Sequence, residues 1–159
     1  KTYIGDFMND FGGSGITEDL YKYIRQILPD GKTVLELGAG HVSTKYLSQF
    51  YNLYSIEDKY QFLNIYKSTY IYAPLENGWY SVDCIKNGIK NIKYDMILID
   101  GPTGEGNRIG FLNNLEIFDI SKIMIFDDTW RAGEKQLSYL VSKKINKEIK
   151  YYDNFGVIL

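Results

Sequence analysis

A short apolar strand that runs into two closely spaced glycines, TVLELGAG at 33–40, constrains the fold of this chain more than any other segment. Glycine has no Cβ and tolerates positive φ, so the backbone can turn sharply at the strand end and a ligand can approach it closely. Such a turn is typical of the first strand-to-helix connection in an open α/β sheet. The alternative is a turn that only joins a buried strand to a helix, because glycine-rich turns are frequent.

The residues around this turn indicate which ligand it would bind. A dinucleotide-binding turn continues to a third glycine near position 43, where the pyrophosphate reaches the helix N-terminus, but Ser43 stands there. Glu36, two positions before the first glycine, would face those phosphates with a negative charge. A carboxylate favours a cation, such as the sulfonium and α-amino group of S-adenosylmethionine (SAM). We therefore predict that Glu36, Gly38 and Gly40 bind the methionine part of SAM.

A second predicted strand, 53–56, is followed by Glu57 and Asp58, and Glu57 lies seventeen residues after Gly40. In a parallel βαβ unit, the end of the second strand lies beside the first glycine turn, so a carboxylate there can accept hydrogen bonds from both ribose hydroxyls. We predict Glu57 as the ribose ligand, with Asp58 beside it in the cofactor site.

The rest of the chain alternates between strand and helix patterns. Thr17 can cap a helix that ends at Pro29, and Ser43 or Thr44 can cap one that runs to Tyr51. Further strands are predicted at 69–73, 95–99, 122–126, 148–152 and 156–159, further helices at 59–67, 81–89 and 133–144, and a loop at 78–80. These units predict a doubly wound, Rossmann-like α/β fold with a mostly parallel sheet of about seven strands. We expect one domain, 1–159, in which 1–30 form an N-terminal lid segment and helix.

Composition excludes several classes of function. The 18 basic and 20 acidic side chains give a formal net charge of −2 without long blocks of either sign, which disfavours a nucleic-acid partner. The single cysteine, Cys84, excludes an internal disulfide and a cysteine-rich zinc site. No apolar run reaches the roughly 20 residues that span a bilayer. We expect a cytoplasmic protein without a membrane span that acts on a small molecule or glycan.

Acidic residues recur where two later strands end. Asp100 follows the predicted strand 95–99, and Asp127 and Asp128 follow 122–126. Because parallel strands end at one edge of a sheet, these side chains should gather beside the cofactor, which Asp100 would also contact. Three carboxylates in one pocket need a compensating cation or a raised pKa.

We therefore predict that Asp100, Asp127 and Asp128 form a catalytic cluster. It would either bind Mg or Mn or activate an acceptor hydroxyl directly. The structural alternative is that Asp127 and Asp128 cap the next segment or pair with Arg131.

Four segments, in order, resemble the motifs of class I SAM-dependent methyltransferases: VLELGAG at 34–40, SIE at 55–57, YDMILIDGP at 94–102 and IMIFDD at 123–128. The resemblance extends from Thr33 to the C-terminus. It implies a methyltransferase domain whose last strand is antiparallel to the rest of the sheet.

Two subgroups of this family share further patterns with the chain. Metal-dependent catechol-type O-methyltransferases carry Asp-Asn after the fifth strand, where this chain has Asp127 and Asp128, and a lysine base where it has Thr103. The likeness is closer to the polysaccharide-directed group that includes glucuronoxylan methyltransferases, in APL at 73–75, GWY at 78–80, DGP at 100–102 with Arg108, and DDT at 127–129 with Arg131 and Glu134. It implies a carbohydrate or related hydroxyl as methyl acceptor.

Five side chains are candidates for binding such an acceptor: Arg108, Arg131, Trp79, Tyr80 and Trp130. The arginines could anchor a carboxylate or phosphate, and the aromatic rings could stack on a sugar face. The structural alternatives are solvated loop charges for the arginines and core or incidental surface positions for the rings.

Two further sequence features, one after and one before the glycine turn, each have two possible roles. His41 either lines the cofactor loop or acts as a base. The segment 12–17, GGSGIT, is either a flexible linker or a lid over the methionine end of the cofactor.

These observations together predict a SAM-dependent O-methyltransferase that acts on a hydroxyl of a sugar, glycan precursor or related small molecule. A SAM-binding module without turnover is the alternative from another functional class. A nicotinamide-dependent oxidoreductase is a third possibility, which Ser43 and Glu36 disfavour.

Overall fold

The computed structural model describes residues 11–12, 15–104 and 106–159, which contain nine strands and five helices. The strands are β1 (Thr33–Leu37), β2 (Asn52–Glu57), β3 (Thr69–Tyr72), β4 (Leu75–Glu76), β5 (Trp79–Tyr80), β6 (Met96–Ile99), β7 (Ile123–Asp127), β8 (Lys150–Tyr151) and β9 (Phe155–Ile158). The helices are α1 (Glu18–Ile27), α2 (Ser43–Leu47), α3 (Val82–Ile89), α4 (Gly110–Asn113) and α5 (Ala132–Ile145). Part of the predicted lid segment lies outside the described residues.

Seven strands form a sheet in the order β3-β2-β1-β6-β7-β9-β8. Strand β1 pairs in parallel with β2 and β6, and β3 and β7 extend the parallel part on either side. Strand β9 runs antiparallel to β7, and β8 pairs with β9. The predicted doubly wound, mostly parallel α/β fold is confirmed, and so is the antiparallel last strand. The strand order reverses between β1 and β6, and ligands of such sheets bind at this switch point.

Helices cover both faces of the sheet because its central strands are apolar on both. Leu35 and Leu37 pack into the cluster formed with α3, α4 and α5. Val34 packs on the opposite face, in the cluster formed with α1 and α2. Since side chains alternate along a strand, Glu36 shares the face of Val34 and points towards α2.

Local capping explains the helices that the sequence predicts correctly. The Thr17 hydroxyl accepts a hydrogen bond from the backbone N–H of Leu20 at 3.3 Å, which begins α1. Ser81 accepts one from Cys84 at 3.3 Å and begins α3. Among the described residues, no helix combines the length and the apolar character that a bilayer span requires.

Three local predictions are wrong. The segment 59–67 forms only a 3₁₀ turn, Tyr60–Phe62, because Asn64 adopts a left-handed φ of 60° that ends any helix. Helix α2 ends at Leu47 rather than Tyr51, and no side chain caps its start.

The predicted loop at 78–80 contains β5, which pairs antiparallel with β4. Asn77 and Gly78, with φ of 54° and 83°, form the two-residue turn of this hairpin.

We expect Gly38→Ala to destabilise the protein by about 2 to 5 kcal/mol, combining a positive φ with steric overlap. Gly38 has φ +97°, and an added Cβ would lie 2.8 Å from the carbonyl oxygen of Asp100. Gly31→Ala is the matched control, since Gly31 has φ +83° with no atom within 4 Å of its would-be Cβ. That control should cost only about 1 to 2 kcal/mol. Equal losses for the two variants in urea unfolding would show that β1 and β6 do not approach closely at this turn.

Candidate functional site

A cavity of about 560 Å³ opens where β1, β2 and β6 end, at the switch point of the sheet. Ligand sites of small molecules commonly have volumes of roughly 300 to 1,000 Å³. Of the predicted site residues, the following line this cavity: Gly38, Gly40, His41, Glu57, Asp58, Tyr80, Asp100, Arg108, Asp128 and Arg131. The sheet topology therefore brings most of the candidate residues together.

The backbone N–H groups of the glycine turn after β1 donate hydrogen bonds to other groups of the protein. The N–H of Gly38 donates to the carbonyl of Ile56 at 2.8 Å. The N–H of Ala39 donates to Oε2 of Glu57 at 3.0 Å, and that of Gly40 donates to Oγ1 of Thr44 at 2.9 Å. A pyrophosphate would need such amides as donors. The turn is therefore poorly suited to a dinucleotide, in agreement with the prediction from Ser43.

Glu36 lies beneath the glycine turn rather than at the cavity. Its side chain is fully buried, and the hydroxyls of Thr44 and Ser55 donate hydrogen bonds to its Oε1. Thr44 in turn accepts from the N–H of Gly40. The predicted direct contact of Glu36 with the methionine part is corrected, because strand alternation points this side chain at α2. Glu36 instead positions the turn through Thr44.

Hydroxyl groups connect Glu36 to β2 and to the residue before β3. Ser55 Oγ lies 2.7 Å from Oε1 of Glu36 and 2.6 Å from Ser68 Oγ, and Ser68 donates to the carbonyl of Leu53 at 3.0 Å. If Ser55 donates to Glu36 and Ser68 to Leu53, no proton remains for the contact between the two serines. A protonated Glu36 would supply it by donating to Ser55 Oγ in place of accepting from it, which frees the Ser55 proton for Ser68. Burial raises the pKa of the Glu36 carboxyl from 4.5 to about 7, although the hydroxyls oppose this shift.

Glu57 ends β2 with its carboxylate held by backbone amides. Oε2 accepts from Ala39, and Oε1 accepts from Asp58 at 3.0 Å and from Lys59 at 2.9 Å. Burial raises the pKa of Glu57, and the nearby charge of Asp58 adds to this effect. A carboxylate offers about four acceptor positions, so the three amides leave about one, which lies beside the Asp58 carboxyl.

The three aspartates at the ends of β6 and β7 lie together. One carboxylate oxygen from each falls within 4.8 Å of the others. Burial and the charge of Asp127 raise the pKa of Asp100 well above its ordinary value, and the two carboxyl groups share a hydrogen bond. Burial and the charge of Asp128 raise the pKa of Asp127 to about 6. Asp100 and Asp128 face the cavity, while Asp127 lies behind them with 3% of its surface exposed.

Arg108 compensates the charge of this cluster. Its guanidinium is 5% exposed and lies 3.0 Å from Oδ2 of Asp128 and 3.7 Å from Oδ1 of Asp100. It also donates to the backbone carbonyls of Asp127 and Asp100, each at 3.3 Å. These three hydrogen bonds leave two of the five guanidinium N–H groups, so the predicted role of Arg108 as an anchor for a substrate anion stays a prediction.

The remaining acceptor candidates lie in three different environments. Trp79 is 4% exposed and packs against Tyr80 and Phe118 in the core, so the predicted stacking on a sugar is wrong for it. Tyr80 is 1% exposed, and its ring likewise has no open face. Trp130 is 63% exposed outside the cavity lining, and Arg131 lies over its ring at 5.0 Å. The roles of Trp130 and Arg131 towards an acceptor stay predictions.

The sequence interpretation missed an aromatic wall of the cavity. Phe62, Tyr66 and Tyr70 line it together with His41, whose Nδ1 lies 3.0 Å from the Tyr66 hydroxyl. The sequence analysis assigned Phe62 and Tyr66 to a helix at 59–67 and Tyr70 to a strand at 69–73, and only Asn64 signalled that the helix would not form. Gly12 and Gly15 of the predicted lid segment also line the cavity.

Glu36 makes the stability of the protein depend on pH. Its folded-state pKa is raised, so its stabilising contribution is complete below the ordinary value of 4.5 and disappears as pH rises through about 7. Between pH 5.5 and 8 this should lower the free energy of unfolding by about 2 kcal/mol. Glu36→Gln cannot titrate and should have a flatter pH profile in denaturant unfolding, whereas Glu76→Gln, at an exposed position, should retain the wild-type profile. Superimposable profiles for wild type and Glu36→Gln would contradict a protonated Glu36.

Comparisons with known proteins agree with the fold. No protein-family model matches the chain, and no curated protein matches its sequence. The structure is similar to a TehB-like SAM-dependent methyltransferase from Corynebacterium glutamicum, with a TM-score of 0.53 and 14% identity, covering 86% of this chain and 83% of that one.

It is also similar to the MycE methyltransferase of the mycinamycin biosynthetic pathway, solved in complex with Mg and SAH. Here the TM-score is 0.58 and the identity 12%, and the match covers 97% of this chain and 51% of that chain. The chain thus spans about half the length of MycE. At these identities the likeness concerns the fold, and the chain has the Rossmann-like fold of class I methyltransferases.

Proposed function

We propose that this protein is a SAM-dependent O-methyltransferase that acts on a hydroxyl of a sugar, glycan precursor or related small molecule. The observation that carries the proposal is the cavity at the switch point, which has carboxylates where a cationic nucleoside would bind and engaged turn amides where a pyrophosphate would bind. The two solved methyltransferases with this fold support the choice of cofactor.

The residues of the cavity fit SAM. The glycine turn allows close approach, and Glu57 has an acceptor position left for a ribose hydroxyl, with Asp58 beside it. The aromatic wall of Phe62, Tyr66 and Tyr70 offers apolar faces to an adenine ring. When bound, SAM supplies an electrophilic methyl group.

The aspartate cluster would serve the acceptor. Asp128 faces the cavity and pairs with Arg108, so it can accept a hydrogen bond and then a proton from an acceptor hydroxyl. Asp127 holds Asp100 through their shared hydrogen bond. Asp100 and Asp128 are largely buried beside an open cavity, which counts against a binding module without turnover.

A divalent cation fits this cluster poorly, although the three aspartates have the right spacing for one. Arg108 already contacts Asp100 and Asp128, and the hydrogen bond between Asp100 and Asp127 retains a proton. A bound ion would have to displace that proton and lie beside a buried positive charge. We therefore propose that the acceptor is activated by carboxylates alone rather than by Mg or Mn.

Calorimetry with the demethylated cofactor, SAH, tests the proposed function. We expect SAH to bind with a micromolar dissociation constant, while NAD shows no binding. Glu57→Gln should weaken SAH binding by about 1.5 to 3 kcal/mol, because one charge-assisted hydrogen bond to the ribose is lost. Glu76→Gln, in the exposed strand β4, should bind SAH like the wild type. Tight NAD binding, or undiminished SAH binding by Glu57→Gln, would refute the cofactor assignment.

Metal titration tests whether Arg108 replaces a cation. Millimolar Mg or Mn should leave the thermal unfolding of the wild type at pH 7 unchanged. Arg108→Gln should lose about 3 to 5 kcal/mol of stability, because buried carboxylates lose their partner, and should regain part of it when Mg is added. Arg131→Gln is the control, since Arg131 is 46% exposed and 3.9 Å from Asp128, and should respond to neither change. If Mg stabilises the wild type and Asp127→Asn removes that effect, the aspartate cluster binds a metal and the proposal of carboxylates alone is refuted.

A further inference from the structure

The Tyr80 hydroxyl is a buried polar group that has no hydrogen-bond partner among the described residues. Its side chain is 1% exposed, and yet the residue lines the candidate cavity. Burying a hydroxyl without a partner destabilises a fold, so most such groups find a partner in the protein or in a ligand. Because the described residues supply no partner, a ligand in the cavity is the candidate partner of this hydroxyl.

The surroundings of this hydroxyl locate it at the switch point. A Cβ added to Gly101 would lie 2.2 Å from the Tyr80 hydroxyl and 2.9 Å from Cα of Gly38, so the hydroxyl lies near the ends of both β1 and β6. The carboxylates of Glu57, Asp58 and Asp100 act on it, and that of Glu57 has the largest effect. The hydroxyl therefore lies near the glycine turn, where the N–H of Ala39 also binds the Glu57 carboxylate.

Its chemical state suits a hydrogen bond in either direction. Burial, with the nearby carboxylates adding to it, raises the pKa of Tyr80 well above 10. The group therefore stays protonated at neutral pH, and a protonated phenol both donates and accepts.

A ribose brings more hydrogen-bond donors to this place than Glu57 can accept. The cis-diol has two hydroxyl donors, whereas three of the approximately four acceptor positions of Glu57 are filled by backbone amides. We propose that Tyr80 binds the ribose of the nucleoside cofactor through its hydroxyl and thereby partners the second ribose hydroxyl. This inference rests on the proposed function, and it replaces the predicted ring stacking of Tyr80 with a polar contact.

Tyr80→Phe tests the proposal with little change of shape. Without ligand, its thermal unfolding temperature should equal or exceed that of the wild type, because an unpartnered hydroxyl is removed. Tyr94→Phe is the matched control: Tyr94 is equally a core tyrosine, but its hydroxyl accepts from the N–H of Asp119 at 2.7 Å. That control should unfold at a lower temperature and bind SAH like the wild type.

Calorimetry with SAH and with adenosine gives the binding readout. Tyr80→Phe should bind both about 5- to 20-fold more weakly than the wild type, the loss expected for one hydrogen bond. The wild type should also discriminate against 2′-deoxyadenosine or 3′-deoxyadenosine, whereas Tyr80→Phe should no longer discriminate against the analogue that lacks the hydroxyl Tyr80 binds.

The possible failures are distinguishable. If the wild type binds SAH and Tyr80→Phe binds it equally well, the role of Tyr80 is refuted and the proposed function stands. The same holds if Tyr80→Phe loses affinity for SAH but retains full discrimination against both deoxy analogues, which would place the contact away from the ribose. If the wild type binds neither SAH nor adenosine, the proposed function and the role of Tyr80 fail together.

Discussion

The burial of carboxyl groups where the central strands end is the constraint on which this site depends. An ionised carboxylate is costly to remove from water unless protein donors replace the lost hydration. In this structure three kinds of partner compensate the buried carboxyl groups. Two hydroxyl groups bind one oxygen of Glu36, whose raised pKa favours the neutral form, three backbone amides bind Glu57, and a guanidinium with a shared proton balances the aspartate cluster. Because Thr44, Ser55, Ala39 and Arg108 come from other segments than the carboxyl groups they bind, these contacts also fix how the ends of β1, β2, β6 and β7 lie relative to one another.

The same hydrogen bonds determine which kind of ligand the cavity favours. Phosphate-binding turns present free N–H groups to an anion, but here the N–H groups of Ala39 and Gly40 donate to oxygen atoms of Glu57 and Thr44. The surface left for a ligand is therefore rich in acceptors, and it favours a molecule with hydroxyl donors and positive charge. A nucleoside with a sulfonium has both, whereas a dinucleotide would bring its own negative charges to a wall that already holds several.

The sequence predicted the sheet because apolar runs and glycine turns are local signals. It placed Glu57, Asp100, Asp127 and Asp128 at strand ends for the same reason. The sequence did not reveal that Arg108 would bind Asp100 and Asp128. This contact forms where two loops meet in the folded protein, and no spacing along the chain indicates it. Two of the features that the sequence analysis missed did have signals in the sequence. Alternation along β1 already turns Glu36 away from the Leu35 and Leu37 face, and the Asn77-Gly78 pair is a hairpin turn that the loop prediction overlooked.

That hairpin packs into the core through Trp79 and also contributes Tyr80 to the cavity lining. Its second strand, β5, buries Trp79 against Phe118 and leaves no room at Gly110, where an added Cβ would lie 2.1 Å from the Trp79 ring. Such tight packing holds the neighbouring Tyr80 in one position. A side chain fixed by the core loses little further freedom when it binds, so a hydrogen bond from it costs a ligand less than one from a mobile loop residue. The burial that rules out ring stacking for Tyr80 is therefore the same property that suits its hydroxyl to recognition.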